Sequence, residues 1–295
     1  MADGPLTDYS QPGPFAVDIS NGEWQDTGCN RRLPWRRYQA QTFDGAPLAP
    51  ALRVLYSHGL GGSCASGADW LGHWASWGIT AIAIQHPGTD EAALASGSPL
   101  ALRHLLRTAV DATQLANRQH DLLFALERIA EEAPAALGIS GHSYGAVSAL
   151  RLIGERRGRD DLPADPQIKA AILFSPSARG GSLPLAERFA RVALPCLHLS
   201  GSRDNGIGPG DIKAADRCLP FRHMPGPHQS LLVLDGADHR SLAGQGHGSA
   251  LQRRRLQAAS TAFWLGHLAG DADAANWLNE GLPKMLAAGD RLVSR

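Results

Sequence analysis

The chain has 295 residues, 43% of them hydrophobic, and its 28 basic residues equal its 28 acidic ones. A chain of this length can bury one large core. We therefore expect a flexible N-terminal segment over residues 1–14 and a single domain over residues 15–295. Because the charges balance, no overall field favours nucleic acid or an anionic membrane. The composition favours a protein that acts on a small molecule.

No stretch of the sequence approaches the roughly 18 uninterrupted apolar residues of a membrane span. We therefore expect no integral membrane segment. Residues 1–14 contain Asp3, Asp8, Pro12 and Pro14 and no apolar run, which is unlike a signal peptide. These features predict a cytoplasmic protein, or a secreted one if a leader has been removed. They do not indicate an oligomeric state.

Four cysteines are scattered along the chain, at Cys29, Cys64, Cys196 and Cys218. They are too few for a disulfide framework, although one or two bridges stay open. Cys196 and His198, two residues apart, would share one face of a strand, and Cys218 with His223 is a second Cys–His pair to weigh as metal ligands. The paired ligand spacings of zinc motifs are absent. The sequence therefore predicts neither a metal site nor a cofactor.

Short apolar segments alternate with segments of helical periodicity. The predicted central strands are 52–56, 80–84, 136–140, 170–174, 196–200 and 230–234. Residues 15–19 and 33–42 are predicted as antiparallel edge strands, joined by a turn around Asn21 and Gly22. This alternation is typical of an α/β fold, with a mostly parallel sheet of about eight strands and helices on both faces.

The predicted helices are 69–77, 119–132, 146–155 and 251–268, followed by an amphipathic segment over 273–286. Trp70, Trp74 and Trp77 lie on one face of the first helix. Their spacing favours core packing over the lining of a substrate pocket. Residues 91–117 exceed a usual connection and contain a helical stretch over 100–115. We expect a small helical insertion there, able to overhang a site, and no large lid domain.

A Gly-x-Ser-x-Gly pentapeptide, Gly141-His142-Ser143-Tyr144-Gly145, lies between a predicted strand and a predicted helix. The two glycines permit a sharp turn, because a side chain at either position would collide with a neighbouring element. Such a turn exposes the serine as a nucleophile. The sequence predicts that Ser143 attacks the substrate.

A serine hydroxyl needs a base that removes its proton as it attacks. His239 follows the last predicted central strand in a short polar loop, and His247, between two glycines, is the alternative. In folds with this serine turn the chain order is serine, acid, histidine. We predict that His239 is the base.

The acid is predicted to follow the strand before that one. Asp204 lies just beyond residues 196–200, and Asp211 and Asp216 are alternatives in the same connection. A carboxylate there would orient the imidazole and stabilise the imidazolium. A plain turn aspartate beside Gly201 is the structural alternative for Asp204.

The attack creates an oxyanion, which needs two backbone N–H donors. Tyr144 supplies one, and Leu60, in the glycine-rich loop after the first central strand, is predicted to supply the other. His58, Gly59 and Gly61 support this loop, and His142 supports the nucleophile. A phosphate-binding loop is excluded, because no Gly-Lys-Ser/Thr ending follows.

Three segments of the chain resemble the α/β-hydrolase superfamily, and within it the dienelactone hydrolase-like and platelet-activating-factor acetylhydrolase-like branch. They are the loop over 56–63, the elbow over 141–145 and the strand end over 84–89. Gln85 stands in the last segment where that branch would carry aspartate. The resemblance runs from about Asn30 to about Phe263.

The resemblance implies a serine esterase that works through an acyl-enzyme without a metal or cofactor. The short connection over 175–194 indicates an open site for short to medium acyl chains. The sequence does not distinguish simple esters from polyesters or phospholipids. A non-catalytic ligand-binding relative stays open as an alternative, as does an amidase, thioesterase or perhydrolase with the same triad.

Overall fold

A computed structural model of the chain describes residues 7–95, 111–158, 161–206 and 212–295. The strands within these residues are β1 (Ala16–Asp26), β2 (Arg31–Gln41), β3 (Leu52–Ser57), β4 (Ile79–Ile84), β5 (Ala136–His142), β6 (Ile168–Phe174), β7 (Cys196–Arg203), β8 (Gln229–Asp238) and β9 (Arg291–Ser294). They form one sheet of nine strands in the order β1-β2-β4-β3-β5-β6-β7-β8-β9. The prediction of about eight strands missed β9, a four-residue and largely exposed edge strand.

The described helices are α1 (Ala68–Ser76), α2 (Glu91–Leu94), α3 (Ala112–Ala130), α4 (Tyr144–Leu152), α5 (Leu185–Phe189), α6 (Leu219–His223), α7 (Ala250–Trp264), α8 (Ala272–Glu280) and α9 (Leu282–Met285). A 3-10 helix, Ala214–Cys218, precedes α6, and a π-helical segment, Leu265–Ala269, continues α7. No helix in the described part of the chain is long and apolar enough to cross a membrane.

The middle of the sheet is parallel from β4 through β3, β5, β6 and β7 to β8. β1 and β2 are antiparallel at one edge, and β9 is antiparallel at the other. All six residues of β3 are buried, because helices cover both faces of the sheet. Successive side chains of β3 point to opposite faces of the sheet and pack in two different hydrophobic clusters. Val54 and Tyr56 belong to one cluster and Leu55 to the other. The predicted fold class is confirmed.

The aromatic face of α1 lies in the core. Trp70 and Trp74 are fully buried, and Trp70 stacks on Phe174 with ring centroids 5.5 Å apart. The Trp74 indole N–H donates to Ser260 Oγ at 2.8 Å, so its polar atom is satisfied. Core packing is thus confirmed for these two tryptophans.

The edge hairpin differs from the prediction. Asn21 and Gly22 lie inside β1, and the chain turns over residues 27–30, where Asn30 has a φ of 53°. A Cβ at Gly22 would lie 2.3 Å from Cζ2 of Trp35 on β2. Glycine at this position therefore makes room for the indole ring of Trp35 on the neighbouring strand. From the sequence alone, a glycine with this role cannot be told from a glycine in a turn.

Several helix boundaries also differ. Helix α3 begins at Ala112 rather than 119, because the Asp111 side chain accepts from Thr113 N at 2.7 Å and caps it. Of the helical stretch predicted over 100–115, residues 100–110 lie outside the described residues. The amphipathic segment over 273–286 is two helices that meet at Gly281, where a Cβ would lie 2.4 Å from Trp277 Nε1.

Tyr9 and Gly13 in the N-terminal segment contact helix α1, whereas the sequence predicted a flexible segment over 1–14. Tyr9 is 3% exposed and its carbonyl accepts from His73 Nε2 at 2.9 Å. The Tyr9 ring packs on Trp77 and Trp277 with centroids 5.1 and 5.2 Å apart. Apolar burial by one tyrosine thus anchors a segment that is otherwise polar in sequence.

Replacing Gly138 with alanine is expected to destabilise the fold. A Cβ at this position in β5 would lie 2.5 Å from Cζ3 of Trp264, whose side chain is fully buried. Overpacking of this kind costs about 1–3 kcal/mol, measured as the free energy of unfolding in denaturant.

Gly72→Ala in helix α1 is the matched control. Its Cβ would have no neighbour closer than 3.9 Å. Alanine is the better helix former by about 1 kcal/mol, so this variant should be neutral or more stable. Equal destabilisation by both substitutions would contradict the packing described for β5.

Candidate active site

The turn from β5 into α4 carries Ser143 at its apex. Ser143 has φ 55° and ψ −114°, a strained backbone conformation that turns the chain sharply. A Cβ at Gly145 would lie 1.9 Å from the Ser57 carbonyl oxygen, and one at Gly141 would lie 2.5 Å from that of Gly145. Both glycines of the pentapeptide are therefore required by backbone packing.

His239 lies over Ser143, in the loop that follows β8. Its Nε2 is 3.0 Å from Ser143 Oγ, and its Nδ1 is 2.7 Å from Asp204 Oδ1. Asp204 is fully buried, whereas the His239 side chain is 15% exposed. The structure thus joins the three residues selected from the sequence in one chain of hydrogen bonds. We assign the Nδ1 proton to the bond with Asp204, so that Nε2 faces the serine as an acceptor.

The Asp204 carboxylate is held on both oxygens. Its Oδ2 accepts from Ser175 Oγ at 2.7 Å and from Ser200 Oγ at 2.8 Å. Both hydroxyls lie at the carboxyl ends of neighbouring parallel strands. With Oδ2 occupied in this way, Oδ1 faces His239, and the imidazole orientation is fixed by the sheet.

Arg217 is a charged neighbour that sequence reasoning missed. This arginine is 2% exposed, and its Nε donates to the Asp204 carbonyl at 3.3 Å and lies 3.4 Å from Asp204 Oδ1. Its Nη1 donates to the Ser175 carbonyl at 3.1 Å, and its Nη2 lies 3.2 Å from His239 Nδ1. A fixed positive charge therefore balances the buried carboxylate. No motif marks it, because it follows Asp204 by 13 positions in a short 3-10 helix.

His142 holds the loop that carries His239. Its Nε2 donates to the His239 carbonyl at 3.0 Å, and the two rings lie 4.7 Å apart. Burial lowers the pKa of His142 well below its ordinary value, so the ring is neutral and Nδ1 is unprotonated. His142 therefore connects the turn at Ser143 to the loop that carries His239.

The glycine-rich loop after β3 approaches Ser143 closely. A Cβ at Gly59 would lie 3.0 Å from His142 Nδ1 and 3.5 Å from Ser143 Cβ. Gly61, with a φ of 74°, donates its N–H to the Thr89 carbonyl at 2.8 Å. No hydrogen bond within the described residues uses the Leu60 N–H, which leaves this amide available to an oxyanion.

His58 fixes the conformation of this loop. Its Nδ1 donates to the Gly59 carbonyl at 2.6 Å, while its Nε2 accepts from His86 N at 2.9 Å. Burial, with Arg118 nearby, lowers its pKa well below the ordinary value. The His58 ring is therefore neutral, and its two hydrogen bonds hold this loop.

Arg118, on helix α3, lies fully buried beneath the same loop. It donates to Thr89 Oγ1 at 2.8 Å, to Ser57 Oγ at 2.9 Å and to the His58 carbonyl. Its guanidinium also lies 4.7 Å from the centre of the Tyr144 ring. Burial lowers the pKa of Arg118 to about 10, so it stays charged at neutral pH.

A buried chain of hydrogen bonds joins Arg118 to Asp121 through Ser57 and His86. Ser57 Oγ is 2.9 Å from His86 Nε2, and His86 Nδ1 is 3.0 Å from Asp121 Oδ2. Asp121 in turn accepts from Arg31 at 2.7 and 2.8 Å. Burial lowers the pKa of His86 to about 4. This chain of hydrogen bonds ties helix α3 to the loop after β3, and sequence reasoning did not find it.

The alternative residues weighed from the sequence lie elsewhere or serve other contacts. His247 is exposed and lies 3.2 Å from Arg240. Asp211 lies outside the described residues, and Asp216 accepts from Lys213 N at 2.9 Å. Gln85, where the sequence resemblance predicts aspartate, donates to Asp90 Oδ2 at 2.9 Å, at the start of α2.

Removing the His142 donor is expected to slow the reaction without unfolding the chain. His142→Leu loses the bond to the His239 carbonyl, worth about 0.5–1.5 kcal/mol. We expect kcat to fall by about threefold to tenfold with little change in KM. His142→Gln, which keeps an N–H donor, should recover most of the loss. Equal kcat in the leucine variant and the wild type would contradict the positioning role.

The family model described as "Serine hydrolase (FSH1)" matches residues 108–224. This segment includes Ser143 and Asp204 and ends before His239. No curated protein matches the sequence.

Solved structures of a cold-adapted esterase from an Arctic intertidal metagenomic library are similar to this chain. The native form is 20% identical with a TM-score of 0.57, and the match covers 85% of this chain and 94% of that one. The polyethylene-glycol-bound form is 19% identical with a TM-score of 0.58, at the same coverage. These likenesses show a shared fold, that of the α/β-hydrolases.

Proposed function

We propose that this chain, which has the α/β-hydrolase fold, cleaves carboxylic esters of short to medium acyl length through an acyl-enzyme on Ser143. The observation that carries the proposal is the 3.0 Å contact between His239 Nε2 and Ser143 Oγ. On the other side of the ring, His239 Nδ1 lies 2.7 Å from Asp204 Oδ1. A nucleophile, a base and an orienting acid in this geometry are the constellation of serine hydrolases. The match to a serine hydrolase family model supports hydrolase activity.

The proposed cycle begins when His239 takes the Ser143 proton as Oγ attacks the ester carbonyl. Negative charge collects on the carbonyl oxygen, between the N–H groups of Leu60 and Tyr144. The alcohol departs with the proton from His239. A water molecule, activated by the same imidazole, then hydrolyses the acyl-enzyme and restores Ser143. These steps use water and groups of this chain.

Asp204 acts on the imidazole. Each attack makes His239 an imidazolium, whose charge the buried carboxylate stabilises. Because Ser175 and Ser200 already donate to Oδ2, the carboxylate can neither rotate away nor change its partner without losing two hydrogen bonds. The sheet therefore positions the imidazole before substrate arrives.

The connection from β6 to β7 bears on substrate size. All its residues, 175–195, are described, and the helix they form is the five-residue α5. This connection is too short to contain a large helical lid. We infer an opening that admits water-soluble esters of modest acyl length. The ester class is further supported by the esterase among the structural neighbours and by the resemblance to the dienelactone hydrolase-like branch.

Nitrophenyl esters from acetate to palmitate test the proposal. We expect rapid turnover of the short and medium esters and a decline toward palmitate. Ser143→Ala should reduce kcat to the background rate, because the hydroxyl 3.0 Å from His239 Nε2 is removed. Ser294→Ala, in the edge strand β9, is the matched control and should retain full activity.

Three results would contradict the proposal. Absence of turnover of every ester by the folded wild type would favour a ligand-binding protein. Turnover that survives Ser143→Ala would place the nucleophile elsewhere. Faster cleavage of matched amides or thioesters than of esters would keep the triad but change the substrate class.

A further inference from the structure

We propose that Asp26, Cys29 and His120 form a site for a zinc-class divalent cation, separate from the site at Ser143. Within the described residues this is the one group of three or more potential ligands whose donor atoms lie within 4.8 Å of one another. The proposal departs from the sequence prediction of no metal site. That prediction considered Cys196 with His198 and Cys218 with His223, which form no such group in the described part of the chain.

The three donor atoms converge on one point. Cys29 Sγ is 3.2 Å from Asp26 Oδ2 and 3.3 Å from His120 Nε2, and His120 Nε2 is 2.6 Å from Asp26 Oδ2. Asp26 is buried, whereas Cys29 and His120 are exposed, so an ion from solvent can reach the group. A thiol sulfur, an imidazole nitrogen and a carboxylate oxygen thus lie close enough together to bind one ion.

Local structure presents two of the ligands together. Asp26 ends β1, and Cys29 lies in the tight turn that leads to β2. Gly28 N donates to Asp26 Oδ1 at 2.9 Å, which orients the carboxylate and leaves Oδ2 toward Cys29. The two-residue spacing between Asp26 and Cys29 is the spacing of ligand pairs in structural zinc sites. His120 arrives from helix α3 as the third ligand.

The donor set selects the kind of metal. Thiolate, imidazole and carboxylate together suit Zn²⁺ and disfavour Mg²⁺ and Ca²⁺, which take oxygen ligands. In a tetrahedral zinc site, bond lengths of about 2.0–2.3 Å place the donor atoms about 3.3–3.6 Å apart. The two sulfur contacts are already near this spacing. Asp26 and His120 would have to separate by about 0.7 Å, a small movement for an exposed histidine.

On binding, the metal would replace the hydrogen bonds that now join these groups. Cys29 loses its thiol proton to water, and His120 binds through Nε2 once the proton that Nε2 shares with Asp26 has left it, so that the remaining ring proton is on Nδ1. The Asp26 carboxylate binds as an anion, and a water molecule fills the fourth position. The ion would join helix α3 to the β1–β2 turn. It would lie beside the Arg31–Asp121 pair, whose members flank Cys29 and His120 in sequence. We therefore expect the ion to raise the stability of the fold and to leave the reaction at Ser143 unchanged.

Cobalt(II) is the probe for this site, because a cobalt–thiolate bond gives charge-transfer absorption that other ligands do not. Tag-free protein is freed of metal with a chelator and titrated with Co²⁺ and then with Zn²⁺. We expect one Co²⁺ per chain with thiolate absorption, displaced by one equivalent of Zn²⁺. Added Zn²⁺ should also raise Tm, since an ion that binds only the folded chain stabilises it.

Variants decide whether the named residues hold the ion. Cys29→Ser should abolish the thiolate absorption, and His120→Ala should weaken Co²⁺ affinity by at least tenfold. Cys64→Ser, at a partly buried cysteine in another loop, is the matched control and should bind as the wild type does. Absence of stoichiometric Co²⁺ binding, or binding that survives Cys29→Ser, would overturn the proposal and leave a hydrogen-bonded cluster only. Neither result depends on hydrolysis at Ser143.

Discussion

Close packing of helix α4 against the end of strand β3 determines the geometry of the site. The first turn of α4 lies so near the Ser57 carbonyl that no side chain fits at Gly145. Ser143, just before this turn, has a strained backbone conformation, and a Cβ at Gly59 in the loop over 58–62 would lie 3.5 Å from Ser143 Cβ. Ser143 and the loop over 58–62 therefore belong to two segments that the pairing of β3 with β5 holds together. Strain at the nucleophile is tolerated because the surrounding packing permits no alternative.

Two buried arginines stabilise the surroundings of this turn. Arg118 supports the loop after β3 from below, and Arg217 lies behind Asp204 on the other side of the nucleophile. A buried charge is costly unless it is paired and fully hydrogen-bonded. Arg217 donates to two backbone carbonyls and is paired with Asp204. Arg118 donates to the His58 carbonyl and is joined to Asp121 only through Ser57 and His86. Loss of Asp204 would therefore leave the Arg217 charge uncompensated in the core.

The parallel sheet explains how much of this could be predicted from the sequence. In such a sheet the carboxyl ends of the strands share one edge, so Ser143, Asp204 and His239 could be selected by their places after successive strands. Arg118 and Arg217 could not, because each acts through contacts made only after folding. On an amphipathic helix an arginine is typical of the solvent face, and α3 instead directs Arg118 inward. The turn predicted at Gly22 failed for a similar reason, since that glycine makes room for Trp35.

The central claim is that His239, oriented by Asp204, activates Ser143 for covalent attack. Reaction of the folded protein with a fluorophosphonate, followed by peptide mass spectrometry, tests it most directly. The account predicts one adduct, on the peptide that contains Ser143, and labelling that slows by orders of magnitude in His239→Gln. Labelling at another residue, no labelling of the folded wild type, or an undiminished rate without the imidazole would contradict it.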